Sequence, residues 1–283
     1  MVDHIYQRMA TILGDAPISY VKWDINRYMT EIGSVTLAAE QQQEVAHRCI
    51  LGVYDLYERL TAAFPDVLFE FCASGGARFD PGMLHYAPQT WTSDNTDAVE
   101  RLKIQYGTSL VYPIGSIGAH VSDIPNHQLG RKTSLDTRVN VVYFGVFGYE
   151  LDVTKMTEQE KAQVNQQVAF YKENRSLIFN GQFYRIDSPF NKDGNVTSWM
   201  VVSEDQQEAL VGRYQVLSLL NTGLKRVLLK GLNSDYEYGI EGLESTFFGD
   251  ELMHAGLQIG LFPIEEQSAD FSPQIFKLSR KNR

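Results

Sequence analysis

VLFEFC, at residues 67–72, decides the fold class, because it is apolar at every position except Glu70. A continuous apolar run of this length is typical of a strand that is buried on both faces, as in a parallel sheet. A helical pattern precedes it and is ended by Pro65. Apolar residues recur there three or four positions apart, at Val45, Cys49, Val53, Leu56 and Leu60. The helix and the strand together indicate an alternating α/β architecture.

The same alternation extends over the first 180 residues. Further strand candidates are the short runs at residues 18–23, 90–93, 116–121 and 143–153. Helical patterns lie at residues 97–106, around Arg138, and at 157–178, which opens on a capping box of Thr157 and Glu160. About five strand-then-helix units are therefore predicted. Such units build either a doubly wound sheet or a (β/α)8 barrel.

The sequence changes character after Gly181. Short runs of strand-forming residues follow at 183–186, 197–202, 209–217, 226–232, 251–259 and 274–278. Turn signals, KDG at 192–194 and NSD at 233–235, separate some of them. Spacings of about ten residues are typical of an antiparallel sandwich. We predict a domain of βα units at residues 1–180 and an antiparallel β-sandwich at residues 181–283.

Composition excludes several functions. The chain has 25 Lys and Arg against 35 Asp and Glu, a net charge of −10 without a basic stripe, which argues against nucleic acid or an anionic membrane as a partner. No apolar run approaches the roughly 20 residues of a membrane helix, and the amino terminus has no apolar signal core. Two cysteines, Cys49 and Cys72, make no disulfide framework. A cytoplasmic protein is predicted.

A polar cluster, KWDINR at residues 22–27, directly follows the first predicted strand. In βα architectures, active sites lie at the carboxyl ends of the strands. Lys22, Asp24 and Asn26 occupy alternate positions and would point the same way if the strand continues. A simpler interpretation is an ion pair between Lys22 and Asp24 that only caps the end of a barrel, and periodicity alone favours it.

Two more clusters follow predicted strands. CASGGARFD, at residues 72–80, contains glycines such as Gly75 that let the backbone approach a ligand closely, although glycine pairs mostly mark tight turns. WTSDNTD, at residues 91–97, places Asp94 close to Trp91. Trp91 can form a stacking platform for a sugar face and exclude water from a carboxyl group, or it can be a core residue. Asp94 can equally be a helix cap.

Two aspartates that follow different strands suit glycoside hydrolysis, in which one carboxylate attacks the anomeric carbon and the other protonates the leaving oxygen. Other kinds of catalytic site, with a metal ion or with a serine or cysteine nucleophile, lack residues that they require. His120, Asp123 and His127 could bind a metal, but their spacing matches no standard site, so an ordinary loop is favoured. Ser74 lacks the nucleophile elbow of the α/β-hydrolases, and Cys72 is more simply a small buried thiol.

Three motifs in this order resemble those of glycoside hydrolase family 36, the microbial α-galactosidases: SYVKWDINR at 19–27, FEFCASGGARFDPGML at 69–84 and WTSDNTDAVER at 91–101. The resemblance implies a retaining enzyme that removes terminal α-galactosyl residues from oligosaccharides such as raffinose and melibiose, with no cofactor and no metal. It assigns Asp24 as the nucleophile and Asp94 as the acid/base.

The resemblance also implies which residues contact the sugar. The expected substrate-binding residues are Lys22, Trp23, Asn26, Cys72, Gly75 and Trp91. Asp24 is expected to pair with Lys22, which would favour its charged form. Asp94 is expected to be the more shielded carboxyl, against Trp91, because an acid must hold its proton near neutral pH.

The resemblance finally implies that the chain corresponds to part of a longer enzyme and begins just before the family's fourth strand. The expected fold is then a partial (β/α)8 TIM barrel, about strands four to eight, followed by the β-sandwich. Such a sheet cannot close into a barrel. We therefore expect little activity from the chain alone, and a homo-oligomer for the full-length form. The alternative is a non-catalytic remnant with a carbohydrate-binding or interaction function.

Overall fold

A computed structural model of the chain describes residues 1–26, 29–73, 79–191, 193–220, 223–262 and 270–281, without the side chain of Leu261. The chain divides into two compact units, Met1–Asp94 and Asn95–Arg283. Asp24 and Asp94, the two predicted catalytic carboxylates, both belong to the first unit.

The first unit contains three parallel strands, in the order β1-β2-β3. Its elements in chain order are α1 (Val2–Asp15), β1 (Tyr20–Asp24), a 3-10 helix (Ala39–Glu44), α2 (Val45–Ala63), β2 (Leu68–Cys72), α3 (Pro81–Tyr86) and β3 (Gln89–Trp91). The three predicted strands and the predicted helix before Pro65 are confirmed. The helices α1 and α3 were not predicted.

An aromatic cluster holds α2 against this sheet. Tyr57 of α2 is almost fully buried, and its ring centroid lies 5.6 Å from that of Phe69 and 5.5 Å from that of Trp23. Burying an aromatic side chain of this kind contributes about 1.5–3 kcal/mol. The burial also raises the pKa of the Tyr57 hydroxyl above its usual range, because the phenolate would lose its hydration. The face of the sheet that carries Phe69 is therefore the core face of this unit.

The second unit begins with further strand–helix alternation and ends in antiparallel strands. Its elements are α4 (Ala98–Thr108), β4 (Ile117–Ser122), α5 (Leu135–Val142), β5 (Val146–Glu150), α6 (Glu158–Asn180), β6 (Gln182–Asp187), β7 (Val196–Val202), β8 (Glu208–Gln215), β9 (Arg226–Val227), β10 (Glu237–Ile240), β11 (Thr246–Phe248), α7 (Gly249–His254), β12 (Leu257–Gln258) and β13 (Ser272–Arg280). Strands β4 and β5 are parallel neighbours. Along the chain, β1 to β5 are each followed by a helix, as the five predicted units require.

A six-stranded antiparallel sheet dominates the carboxyl-terminal part, in the order β11-β10-β13-β8-β7-β6. One of its faces packs against helices of the same unit, where Trp199 and Tyr214 join the core that includes Phe144. The hydroxyl of Tyr214 donates to the carbonyl oxygen of Asn140 at 2.7 Å. The opposite face packs on the small antiparallel pair of β9 and β12 and on α7.

Two sequence predictions in this region are wrong. The strand predicted at residues 251–259 is mostly helix α7, in which Leu252 is buried and which Gly256, at φ +88°, follows. Positive φ suits glycine, so the chain can turn there and form only the short strand β12. The strand predicted at 226–232 shortens to β9.

Candidate active site

Strand register brings three polar side chains into one row across the first sheet. Lys22 of β1 pairs with Glu70 of β2, and Glu70 pairs with Gln89 of β3. Directly paired residues of neighbouring strands point to the same face. The Nζ of Lys22 lies 3.8 Å from Oε1 of Glu70, and Nε2 of Gln89 donates to Oε2 of Glu70 at 2.9 Å. We call Lys22, Glu70 and Gln89 the Glu70 row.

A second row lies two residues nearer the carboxyl ends of the strands, on the same face. Asp24 pairs with Cys72, and continuation of the register that pairs Phe71 with Thr90 sets Cys72 beside Trp91. Asp24 is exposed, and its Oδ2 accepts a hydrogen bond from Nδ2 of Asn26 at 2.8 Å. The structure therefore brings Asp24 and Asn26 together, and it places them at the edge where the motif comparison predicted a site.

Among the described residues, Lys22 forms its ion pair with Glu70 and not, as was expected from the sequence, with Asp24. Residues two apart in a strand are about 6.6 Å apart, whereas neighbouring strands lie about 4.8 Å apart. A partner across the sheet is therefore closer to Lys22 than the next residue on its own face. Sequence reasoning missed Glu70, although a single charge inside the apolar run was its visible signal.

Asp94 lies in a bend three residues beyond the end of β3. Its side chain is exposed, so the expectation that Trp91 shields it is wrong for this structure. The physical reason is position, because Trp91 lies within the strand whereas Asp94 lies past its end. Strands β1 and β3 flank β2, so Asp24 and Asp94 follow strands on either side of Cys72.

Trp91 is 4% exposed and offers almost no surface to a sugar ring. Nζ of Lys22 lies 4.9 Å from its ring centroid, which is a cation–π distance. The prediction of a stacking platform therefore does not fit, and the core alternative does. The ring is covered because β3 is buried along its whole length.

Trp23 lies on the other face of β1. Side chains alternate along a strand, so Trp23 points away from the face that carries Lys22 and Asp24. Its ring packs against Tyr57 of α2, in the core of the unit. Contact between Trp23 and the substrate stays a prediction.

The other predicted sugar contacts include Cys72 and Gly75. Cys72 is 2% exposed, next to Asp24 in the register, and its substrate contact stays a prediction. Gly75 lies outside the described residues. Asp80, from the same cluster, is a helix cap: it accepts a hydrogen bond from the backbone N–H of Met83 at 2.8 Å and one from the hydroxyl of Tyr54 at 2.6 Å.

His120, Asp123 and His127 are not gathered into a ligand set in the described part of the chain. Nδ1 of His120 instead lies 3.3 Å from Oε2 of Glu150, its neighbour on β5. Asp97 of the third motif caps α4, because its side chain accepts from two backbone N–H groups of the first turn.

Glycoside hydrolases act through a pair of carboxylates. Asp24 ends β1 and Asp94 lies beyond the end of β3, and one strand, β2, separates these two parallel strands. Comparison with known families agrees. Residues 1–181 match the family described as Melibiase, and residues 196–278 match the glycosyl hydrolase family 36 C-terminal domain. The chain belongs to glycoside hydrolase family 36.

Individual relatives are similar over nearly the whole chain. The α-galactosidase AgaA of Geobacillus stearothermophilus is 55% identical over 276 residues, which are 98% of this chain and 37% of that protein. The α-galactosidase Mel36A of Lactobacillus acidophilus is 43% identical over 280 residues, 99% of this chain and 37% of that protein. The chain thus spans a little over a third of the length of these relatives.

Solved structures agree with the sequence comparison. A variant of the Geobacillus AgaA in complex with raffinose superposes with a TM-score of 0.93 at 54% identity, over 99% of this chain and 38% of that one. The α-galactosidase of Lactobacillus brevis superposes with a TM-score of 0.95, also at 54% identity, over 100% of this chain and 38% of that one.

Proposed function

We propose that the chain supplies the two catalytic carboxylates of an α-galactosidase that removes terminal α-galactosyl residues from oligosaccharides such as raffinose and melibiose. The observation that carries this is the placement of Asp24 at the last position of β1 and of Asp94 beyond the end of β3, within motifs of family 36. The raffinose complex of AgaA, at 54% identity, supports the substrate class.

The proposed mechanism is a double displacement with retention. Asp24 attacks the anomeric carbon while Asp94 gives its proton to the leaving oxygen, and a galactosyl-enzyme ester forms. Asp94 then takes a proton from water, which attacks the same carbon and releases galactose. The hydrogen bond from Asn26 holds one oxygen of Asp24 in place, which leaves the other oxygen to attack.

Two finer points of architecture belong to the same proposal. We infer a partial (β/α)8 barrel at residues 1–180 and a sandwich at 181–283, supported by the end of α6 at Asn180 and by family matches that stop at 181 and resume at 196. We also infer a cytoplasmic location and a homo-oligomeric full-length form. Within the described residues, no helix is both long and apolar enough to cross a membrane.

A sugar-binding module without turnover is the second candidate, and the exposure of both carboxylates favours it. A carboxylic acid works best as a proton donor when its surroundings exclude water, and Asp94 lacks such surroundings within its unit. The two candidates share a ligand and differ in whether Asp24 reacts with it.

The deciding experiment measures hydrolysis of p-nitrophenyl α-galactoside by the chain alone and by the chain mixed with the AgaA segment that precedes the matched residues. We expect little turnover alone and turnover on mixing. Asp24→Gly should abolish it, and azide should restore it with β-galactosyl azide as the product. Galactose binding without turnover in either preparation would favour the second candidate. Formation of β-galactosyl azide by Asp94→Gly, and not by Asp24→Gly, would reverse the roles.

A further inference from the structure

The carboxylate of Glu70 is the centre of a buried polar network beneath the predicted catalytic residues. Glu70 is 1% exposed, within a strand that is otherwise apolar. The hydroxyl of Tyr20 and Nε2 of Gln89 both donate to its Oε2, and Lys22 forms an ion pair with its Oε1. These contacts come from β1 and β3, the two strands that flank β2, so the position of the carboxylate is fixed by the sheet itself.

Electrostatics explains why Lys22 must stay close to this carboxylate. A buried charge is costly unless it is paired and hydrogen-bonded, and breaking such a pair by removing one partner leaves the other uncompensated. Neutral donors satisfy one oxygen of Glu70, and the cation lies beside the other. Lys22 is the partly exposed member, with 35% of its side chain accessible, so its ammonium also reaches the surface of the sheet.

Trp91 confines the same ammonium from a second side. The ring lies 4.9 Å from Nζ of Lys22, so the cation is held between a carboxylate and an aromatic face. Lysine has a flexible four-carbon stem, and holding it in one place normally costs conformational entropy. Glu70 and Trp91 hold the ammonium in place before any ligand binds, so ligand binding does not have to order the side chain. A binding group held in this way is preorganised.

We propose that Glu70 is a positioning residue, which holds the ammonium of Lys22 over Trp91 on the sheet face that carries Asp24, ready to donate to a hydroxyl group of the galactosyl residue. The ligand in this statement rests on the proposed function, whereas the placement of Lys22 does not. A purely structural Glu70 would stabilise the sheet without determining where the ammonium lies.

The test is an NMR measurement on the complete 283-residue chain with 13C-labelled lysine. The ε-CH2 signal of Lys22, assigned by its loss in Lys22→Arg, should lie upfield of the other lysines, because protons above an indole face are shielded. Glu70→Gln keeps the size of the side chain and one acceptor oxygen for Tyr20 and Gln89 but removes the negative charge, and should move this signal into the range of exposed lysines. The matched control is Glu44→Gln, which neutralises an exposed carboxylate paired with Arg48 and should leave it in place.

A Lys22 signal that stays upfield in Glu70→Gln would overturn the inference. If Glu70→Gln does not fold, Tyr20→Phe decides, since it removes one hydrogen bond to Glu70 from a residue that is itself exposed. A reduced upfield displacement supports the inference, and an unchanged one overturns it. Galactose should shift the Lys22 signal of the unaltered chain. If Glu70→Gln loses the upfield displacement of Lys22 but galactose does not shift the Lys22 signal of the unaltered chain, the proposed function is contradicted. The role of Glu70 in placing Lys22 then still stands.

Discussion

Neighbouring residues of β1 have different roles because a strand alternates its side chains between two faces. Lys22 and Asp24 lie on the polar face, and Trp23 between them packs on Tyr57. The sequence predicted the polar face correctly from alternate positions. It could not predict the partner of Lys22, since Glu70 is 48 residues away and only the register of β1 and β2 joins them.

The alternation makes a prediction for Trp23. Trp23→Phe should leave the dissociation constant for galactose within about twofold of the unaltered chain, because the ring faces α2, and should lower thermal stability through lost aromatic packing. The matched variant is Lys22→Met, on the other face, which should weaken binding at least tenfold. Titration of both by calorimetry measures this. A large loss of galactose affinity in Trp23→Phe, at unchanged stability, would restore the sugar contact that the sequence suggested.

At the scale of elements, the sequence predicts local structure more reliably than strand pairing. The capping box at the start of α6 is present as predicted, with the Thr157 hydroxyl accepting from the backbone N–H of Glu160 at 3.2 Å. The sequence pattern of strand β3 is weak, because the strand is only three residues long. Helix α7 was mistaken for a strand, because its short apolar run fits either period.

The capping box predicts a stability change. Thr157→Ala should lower the free energy of unfolding by about 1 kcal/mol, because the helix loses a side-chain acceptor for an orphan N–H group. Gln166→Ala, at an exposed position in the middle of α6, is the control and should be neutral or slightly stabilising. Urea unfolding followed by circular dichroism gives both values. Equal stability of Thr157→Ala and the unaltered chain would show that this end of the helix frays.

Glu160 adds a pH dependence to the same element. Hydrogen bonds from the backbone N–H and the hydroxyl of Thr157 lower the pKa of the Glu160 carboxyl. A carboxyl whose pKa is lower when folded contributes stability above its unfolded pKa of about 4.3, and that contribution disappears as the pH falls through the folded pKa. Glu160→Gln should therefore be less stable than the unaltered chain at pH 7, and the difference should vanish in acid. A difference that is constant with pH would show that the charge of Glu160 is not what stabilises this end of the helix.

At the scale of the whole molecule, the sequence boundary and the compact units differ. Sequence texture changes at Gly181, where α6 ends, whereas contacts within the chain divide it after Asp94. The reason is packing, since the antiparallel sheet shares one core with α5 and α6 through residues such as Trp199 and Leu210. The spacing of apolar residues along the sequence indicates local secondary structure, and it carries no information about which helices and sheets share a core.

Because the sheet and the helices share one core, shortening a single buried side chain should destabilise the whole second unit. Leu210→Ala should cost about 2–5 kcal/mol, because Leu210 is fully buried between the sheet and the helices. Leu217→Ala, at a residue 49% exposed, is the control and should cost little. Hydrogen exchange should show faster exchange in α6 as well as in β8 for Leu210→Ala. Faster exchange confined to the strands would contradict a common core.

Covalent trapping tests most directly whether Asp24 is the nucleophile, as we propose. An α-galactose-configured cyclophellitol aziridine opens its ring when an enzymatic carboxylate attacks it, and the adduct is located by mass spectrometry of the digested chain, with AgaA labelled in parallel. We expect an ester on Asp24, which is lost in Asp24→Asn and retained in Asp94→Asn after long incubation. An adduct on Asp94, or no adduct on a folded chain combined with the AgaA amino-terminal segment while AgaA itself is labelled, would contradict this proposal.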